Sequence, residues 1–171
     1  MIVIRPERAT DRAAIHRVNE RAFGRTNEAA LVDALRENAR PHISLVAADG
    51  EHVLGHIFFS PVSIAAVDGE STALGLGPMA VLPGYQRQGI GSRLVRCGLD
   101  ACIRLGHGVV VVLGHPHFYP RFGFSPAVTK RLRSEYRVPD EVFMVAELSP
   151  RALRARTGLV KYRPEFAQFG A

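Results

Sequence analysis

The chain has 171 residues, 47% hydrophobic and 22% charged, a balance that suits one folded domain with a sizeable core and excludes intrinsic disorder. No apolar run approaches the ~20 residues needed to cross a bilayer, and the opening Met1-Ile2-Val3-Ile4-Arg5-Pro6 lacks the order of a signal peptide, so the expectation is a cytoplasmic protein with no membrane contact. The net charge of +6 is uneven: residues 86–137 hold nine Arg or Lys against two acids, Asp100 and Glu135, a surplus that suits either an anionic ligand or a solvated helix face.

In chain order, Ile2 to Arg5 reads as a short strand stopped by Pro6. Thr10 is the expected N-cap of a helix whose Ala14, Ile15, Val18 and Ala22 recur at helical spacing. A second helix is predicted from Asn27 to Asn38, with Ala30, Leu31, Ala34 and Leu35 inward. The period then changes to that of strands: Ile43 to Ala48, His52 to Ile64 beyond the turn Asp49-Gly50, and Ala73 to Leu82 beyond Asp68-Gly69. Gly75, Gly77 and Pro78 interrupt the last of these and predict a bulge.

Gln88 to Leu105 is the clearest helix, with Ile90, Leu94, Cys97, Ala101 and Leu105 expected inside and Arg87, Arg93, Arg96 and Arg104 largely outside. Cys97 and Cys102 fall on different faces of it, which precludes their pairing, and read as small core residues. Val109 to Leu113 is apolar on both faces, as a central strand must be. A short helix is expected from about Pro116 to Phe122, a strand from Val142 to Leu148, a further short helix near Pro150 to Arg156, and a strand near Leu159 to Tyr162. Hairpin turns between strands beside helix–strand alternation predict an α/β fold with a mixed central sheet covered by helices.

The chemistry concentrates at Gln86-Arg87-Gln88-Gly89-Ile90-Gly91-Ser92, between a strand and a helix N-terminus. Such a junction favours anions, because the first-turn N–H groups lack helical partners and the helix dipole is positive there. Two other phosphate loops are excluded. Gly84 and Gly89 have P-loop spacing, but Ile90 stands where lysine is required, and Gly75 and Gly77 lie in a strand context rather than ahead of a Rossmann helix.

Val81-Leu82-Pro83-Gly84-Tyr85 and the turn that follows resemble the acetyl-CoA signature of the GNAT N-acetyltransferase superfamily: Gln or Arg, any two residues, Gly, any residue, then Gly or Ala. Phe118-Tyr119-Pro120-Arg121-Phe122-Gly123-Phe124 is similar to the Phe-Tyr-x-x-x-Gly-Phe segment after that family's fifth strand. Gly55 to Val62, Val138 to Glu141 and the tail resemble the YhbS-like branch, so the likeness covers nearly the whole chain.

The resemblance implies a domain over residues 1–148, an extension over 149–171 packed on it, helices on both faces, and parallel fourth and fifth strands that splay apart. It further implies that acetyl-CoA is the cosubstrate, that backbone groups of Met79, Ala80 and Val81 hold its thioester and pantetheine arm, and that Gln86, Arg87, Gln88, Gly89, Ile90, Gly91 and Ser92 form its pyrophosphate site. Tyr119 is then the catalytic group beside the sulfur. The family often has Asn where this chain has Gly114-His115.

The expected reaction is acetyl transfer to a primary amine of a small molecule or peptide; the alternative is a CoA-binding module or sensor with little catalysis. The strand before the signature has no carboxylate base, leaving His56, His115 and His117 as candidates. His56 alternates with Leu54 and Phe58, the pattern of a satisfied core histidine. His115-Pro116-His117 has no third ligand, so no metal is expected. The basic runs Lys130 to Arg133 and Arg151 to Arg156 read as solvated faces, so no nucleic acid is expected. A homodimer is compatible with the chain, but no motif specifies one.

Overall fold

The computed structural model describes residues 1–170; Ala171, the end of the expected extension, lies outside them. The hydrophobic alternation forms strands β1 (Ile2–Pro6), β2 (Ile43–Asp49), β3 (His52–Ala66), β4 (Gly69–Val81) and β5 (Val109–Leu113). The shorter β6 (Ser125–Pro126), β7 (Leu132–Ser134), β8 (Phe143–Glu147) and β9 (Gly158–Lys161) follow. They join in the order β1-β2-β3-β4-β5-β8-β6. β3 is long enough to carry β2 along its first half and β9 along its second, on the side opposite β4. Among the described residues only β4–β5 and β7–β9 pair in parallel.

Helices α1 (Arg12–Phe23) and α2 (Asn27–Asn38) cover one face, where Ile15, Val18, Leu31 and Leu35 pack on Val46, Phe58 and Ala80. Helix α3 (Ile90–Arg104) covers the other, with Ile90, Leu94, Val95 and Cys102 against Ile57, Phe59, Leu74 and Val112. The helix sits close because residue 98 is glycine: a Cβ there would reach the Phe59 ring at 2.5–2.6 Å. β5 is apolar on both faces because it serves two clusters. Val110 and Val112 meet α3, while Val109 and Val111 join Leu132, Phe143, Leu153 and Val160.

The splay follows from β4. It pairs with β5 only from Leu74 to Leu76, opposite Val110 to Val112, yet continues along β3 to Val81. At the interruption predicted from Gly75, Gly77 and Pro78, β3 advances from Ile57 to Phe59 while β4 moves from Met79 to Leu76. The extra β4 residue is a bulge, with Gly77 at φ 145°, and it bends the strand away from β5.

Several element boundaries differ from expectation. α1 starts at Arg12, not after a Thr10 cap, because a 3-10 turn at Ala9–Asp11 precedes it. Asp11 closes that turn, accepting the Arg8 N–H at 2.7 Å and the Arg5 guanidinium at 2.7 and 3.0 Å. α3 starts at Ile90, since Gly89 is left-handed, and Leu105 caps its end 64% exposed rather than facing inward. The predicted helix near Pro116 is a 3-10 turn, Tyr119–Phe122. Residues 150–156 form turns with Arg151 and Ala155 at positive φ. Helix α4 (Pro164–Gln168), too short to show periodicity, packs Phe166 on the α1–α2 face.

Candidate active site

The chain leaving β4 makes a 3-10 turn at Pro83–Tyr85 and then the left-handed positions Arg87 (φ 61°) and Gly89 (φ 85°) before α3 begins. Two amide side chains brace the turn. Gln86 donates to the Val81 carbonyl at 3.0 Å and Gln88 to that of Gly84 at 3.4 Å. The first helical N–H to return a bond to this junction is that of Arg93, to the Gly89 carbonyl at 3.1 Å. The amides of Ile90, Gly91 and Ser92 precede it, the groups that a helix leaves without internal partners.

The space over these amides is open. A Cβ on Gly89 would meet nothing within 4 Å, and one on Gly91 would come no closer than 3.7 Å to Met79 Cε. The glycines are therefore not demanded by packing within the chain at that surface, and their small size fits the approach of an anion to the backbone. A cavity of about 570 Å³ lies here. Of the residues expected at the site, Met79, Val81, Gln86, Arg87, Gly89, Gly91 and Ser92 line it. Ala80 does not, its side chain being buried with Phe58. Ile90 is buried under the sheet, and Gln88 is exposed outside the lining.

Backbone direction separates the β4 residues further. The Leu82 N–H bonds the Leu54 carbonyl at 2.9 Å, whereas the Val81 carbonyl turns to Gln86. Alternation along a strand then aims the backbone groups of Met79 and Val81 at the splay and those of Ala80 at His56 on β3.

Beyond β5 the chain turns through Gly114 and His115 to Tyr119. A Cβ on Gly114 would overlap the Tyr119 ring, lying 2.9 Å from its Cδ2, so the glycine makes room for the tyrosine at the strand end. Tyr119 is 6% exposed and packs edge-on to Phe118 and Phe124, at 5.0 and 5.7 Å between ring centroids. Burial pushes its pKa up to about 12. It lines a second cavity, of about 460 Å³, which shares Met79, Val81, Gln86 and His115 with the first. Sequence reasoning missed much of this second wall. Arg25 and Glu28, at the start of α2, carry a legible i,i+3 charge pair, but Tyr136, Tyr162 and Phe166 arrive from distant segments with no local signal. Arg121 of the first cavity was also missed; its guanidinium lies 4.9 Å from the Phe118 ring centroid.

The histidines separate clearly. His56 is 0% exposed; its Nε2 lies 2.9 Å from the Ser44 hydroxyl oxygen, which donates its own proton to Glu7, and its Nδ1 lies 3.3 Å from Asn19 Nδ2. Burial lowers its pKa to about 3, and it lines neither cavity. His115 is exposed where the cavities meet, and His117 lines neither. Among the described residues no group of three or more His, Cys, Asp or Glu is arranged to hold a metal ion, no helix is long and apolar enough to cross a membrane, and both cysteines are free.

A mixed sheet split between parallel β4 and β5, with a glycine turn and helix N-terminus at the split, is the GNAT arrangement, and residues 3–127 match the family model described as an acetyltransferase (GNAT) domain. The chain belongs to this family of acetyl-CoA-dependent N-acetyltransferases. It is 38% identical to YhbS of Escherichia coli K12, described as an uncharacterized N-acetyltransferase, over 98% of this chain and 100% of YhbS. It is 39% identical to YjhQ of the same strain over 77% of this chain and 75% of YjhQ. The crystal structure of E. coli YhbS in complex with CoA superposes with a TM-score of 0.91 at 37% identity, covering 99% of this chain and 93% of that one. A Brucella melitensis GNAT acetyltransferase in complex with acetyl-CoA gives 0.79 at 37% identity, covering 97% and 98%.

Proposed function

We propose that this chain transfers the acetyl group of acetyl-CoA to the primary amine of a small molecule or peptide in the cytoplasm, with both substrates in the β4–β5 groove at once. One observation carries the reading: the cavity over the α3 turn and the cavity beside Tyr119 share a wall at Met79, Val81, Gln86 and His115. An anion held at the helix N-terminus and an amine entering from the α1–α2 side would therefore meet over the free edge of β4. Tyr162 and Phe166 belong to the second cavity, which supports counting residues 149–171 as part of the same functional unit. The structures of relatives with CoA and acetyl-CoA support the choice of cosubstrate.

The cosubstrate supplies an activated thioester. The amides of Gly89 to Ser92 would hold its pyrophosphate, with Arg87 and Arg121 adding positive charge beside them. Backbone groups of Met79 and Val81 would bond the pantetheine arm and the thioester carbonyl, stabilising negative charge on that oxygen as nitrogen attacks carbon. The carbon–nitrogen bond forms, the carbon–sulfur bond breaks, and the Tyr119 hydroxyl donates to the departing sulfur. The amine gives up its proton, and His115, exposed at the junction of the cavities, would take it.

Neither cysteine lines either cavity, and burial pushes the Cys102 thiol up to about 12, so transfer is direct. Initial rates with acetyl-CoA and an amine varied together give intersecting reciprocal plots on this reading. Parallel plots, with acetyl label retained on the protein, would contradict it.

A further inference from the structure

The cavity beside Tyr119 has a charge balance that narrows its ligand. Its wall carries one carboxylate, Glu28, and one guanidinium, Arg25. They are paired: Arg25 Nε donates to Glu28 Oε1 at 2.8 Å, and Nη2 faces Oε2. The Glu28 side chain is 5% exposed and that of Arg25 50%, so the guanidinium covers the carboxylate on its solvent side. Among the described residues no other acid lines the cavity.

Most of the remaining wall is apolar or aromatic, including Leu31, Tyr136, Tyr162 and Phe166. The Tyr162 ring lies 5.6 Å from that of Tyr136 and 5.2 Å from that of Phe166. Its hydroxyl is buried and, among the described residues, has no hydrogen-bond partner. Burial raises its pKa above the ordinary phenol value, so it remains a neutral donor. A buried hydroxyl without a partner is uncommon in folded proteins and needs an explanation.

Resting on the proposed entry of the acceptor by this cavity, we infer that the acceptor is a monoamine with an aromatic or bulky apolar body and a hydrogen-bond acceptor for the Tyr162 hydroxyl, and that polyamines are poor acceptors. Each further ammonium of a polyamine held inside would leave water with no unpaired carboxylate in the wall to meet it, a large penalty; the nearby Glu135, whose Oε1 accepts the Tyr162 N–H at 3.3 Å, lies outside the lining and is exposed. An aromatic body instead replaces water against Tyr136 and Phe166, where stacked or edge-on rings attract. Its carbonyl or carboxyl oxygen would complete the Tyr162 hydroxyl.

The test uses the full chain with acetyl-CoA and three acceptors: phenylalanine amide, phenylethylamine and spermidine. CoA release should give phenylalanine amide a kcat/KM at least about tenfold above that of spermidine. Tyr162→Phe should lower kcat/KM for phenylalanine amide and spare phenylethylamine, which has no oxygen to receive the bond. Arg25→Ala, which exposes the Glu28 charge, should narrow the gap to spermidine. Spermidine equal to or better than phenylalanine amide with the unaltered chain overturns the inference while leaving amine acetylation standing, as does equal loss for both aromatic amines in Tyr162→Phe. No CoA release with any amine, although acetyl-CoA binds, would instead overturn the proposed function. Calorimetry of phenylalanine amide and spermidine on the acetyl-CoA-loaded protein then decides the preference of the cavity, and tighter spermidine binding rejects it.

Discussion

Tyr119 can pack at the end of β5 because Gly114 has no Cβ to occupy the same space. The burial that results limits its chemistry. With the phenol pushed up to about 12 and a thiol near ~8.5, full proton transfer to the thiolate would be uphill by about 5 kcal/mol. Sequence reasoning with an ordinary phenol gives only about 2 kcal/mol. In the proposed role, a hydrogen bond to developing charge is therefore favoured over transfer of the proton. Tyr119→Phe should lower kcat by roughly 10²-fold with acetyl-CoA affinity unchanged; calorimetry and single-turnover rates separate the two. The hydroxyl serves only while protonated, below about 12, so kcat/KM should rise with amine deprotonation and show no falling limb from this group up to about pH 10. A falling limb below that pH that vanishes in Tyr119→Phe would contradict the assignment.

Among the elements, α3 and its turn were legible because both signals are local: a helical apolar period, and glycines ahead of the first turn. The splay was legible only through the resemblance and the breakers in β4, since strand separation depends on pairing across the sheet. The cavity beside Tyr119 was largely hidden. Arg25 and Glu28 form an i,i+3 charge pair that by itself marks only a helix start, and Tyr162 and Phe166 reach the cavity only because β9 pairs with β3 and α4 folds back on α2. His56, by contrast, could be read from its alternation with Leu54 and Phe58, and it sits in the core as that pattern implies. Of the two glycines within α3, Gly98 is the closely packed one, over Phe59. Gly98→Ala should destabilise the fold by about 1–3 kcal/mol through overpacking, despite alanine's better helix propensity. A urea midpoint equal to or above that of the unaltered chain would show that Phe59 can move aside.

For the whole molecule, the charge asymmetry acquires a location. Arg87 and Arg121, from the basic stretch between residues 86 and 137, line the cavity over the α3 turn, while the cavity beside Tyr119 holds one compensated ion pair. On the proposed reading one end of the groove takes a polyanion and the other an apolar amine, and their reacting groups would meet where β4 leaves β5. The central claim, that acetyl-CoA's pyrophosphate rests on the α3 turn, has a matched control in the same helix. Gly89 and Gly106, at its two ends, have φ of 85° and 84°, and a Cβ on either would meet nothing within 4 Å. Glutamate at either position bears the same left-handed backbone cost, but only at Gly89 does it add bulk and negative charge to the proposed phosphate site. Calorimetry of acetyl-CoA with the two folded variants should show Gly89→Glu weaker by at least about 30-fold, consistent with ~2 kcal/mol for charge at a helix terminus, and Gly106→Glu unchanged; equal affinity in both would contradict the account.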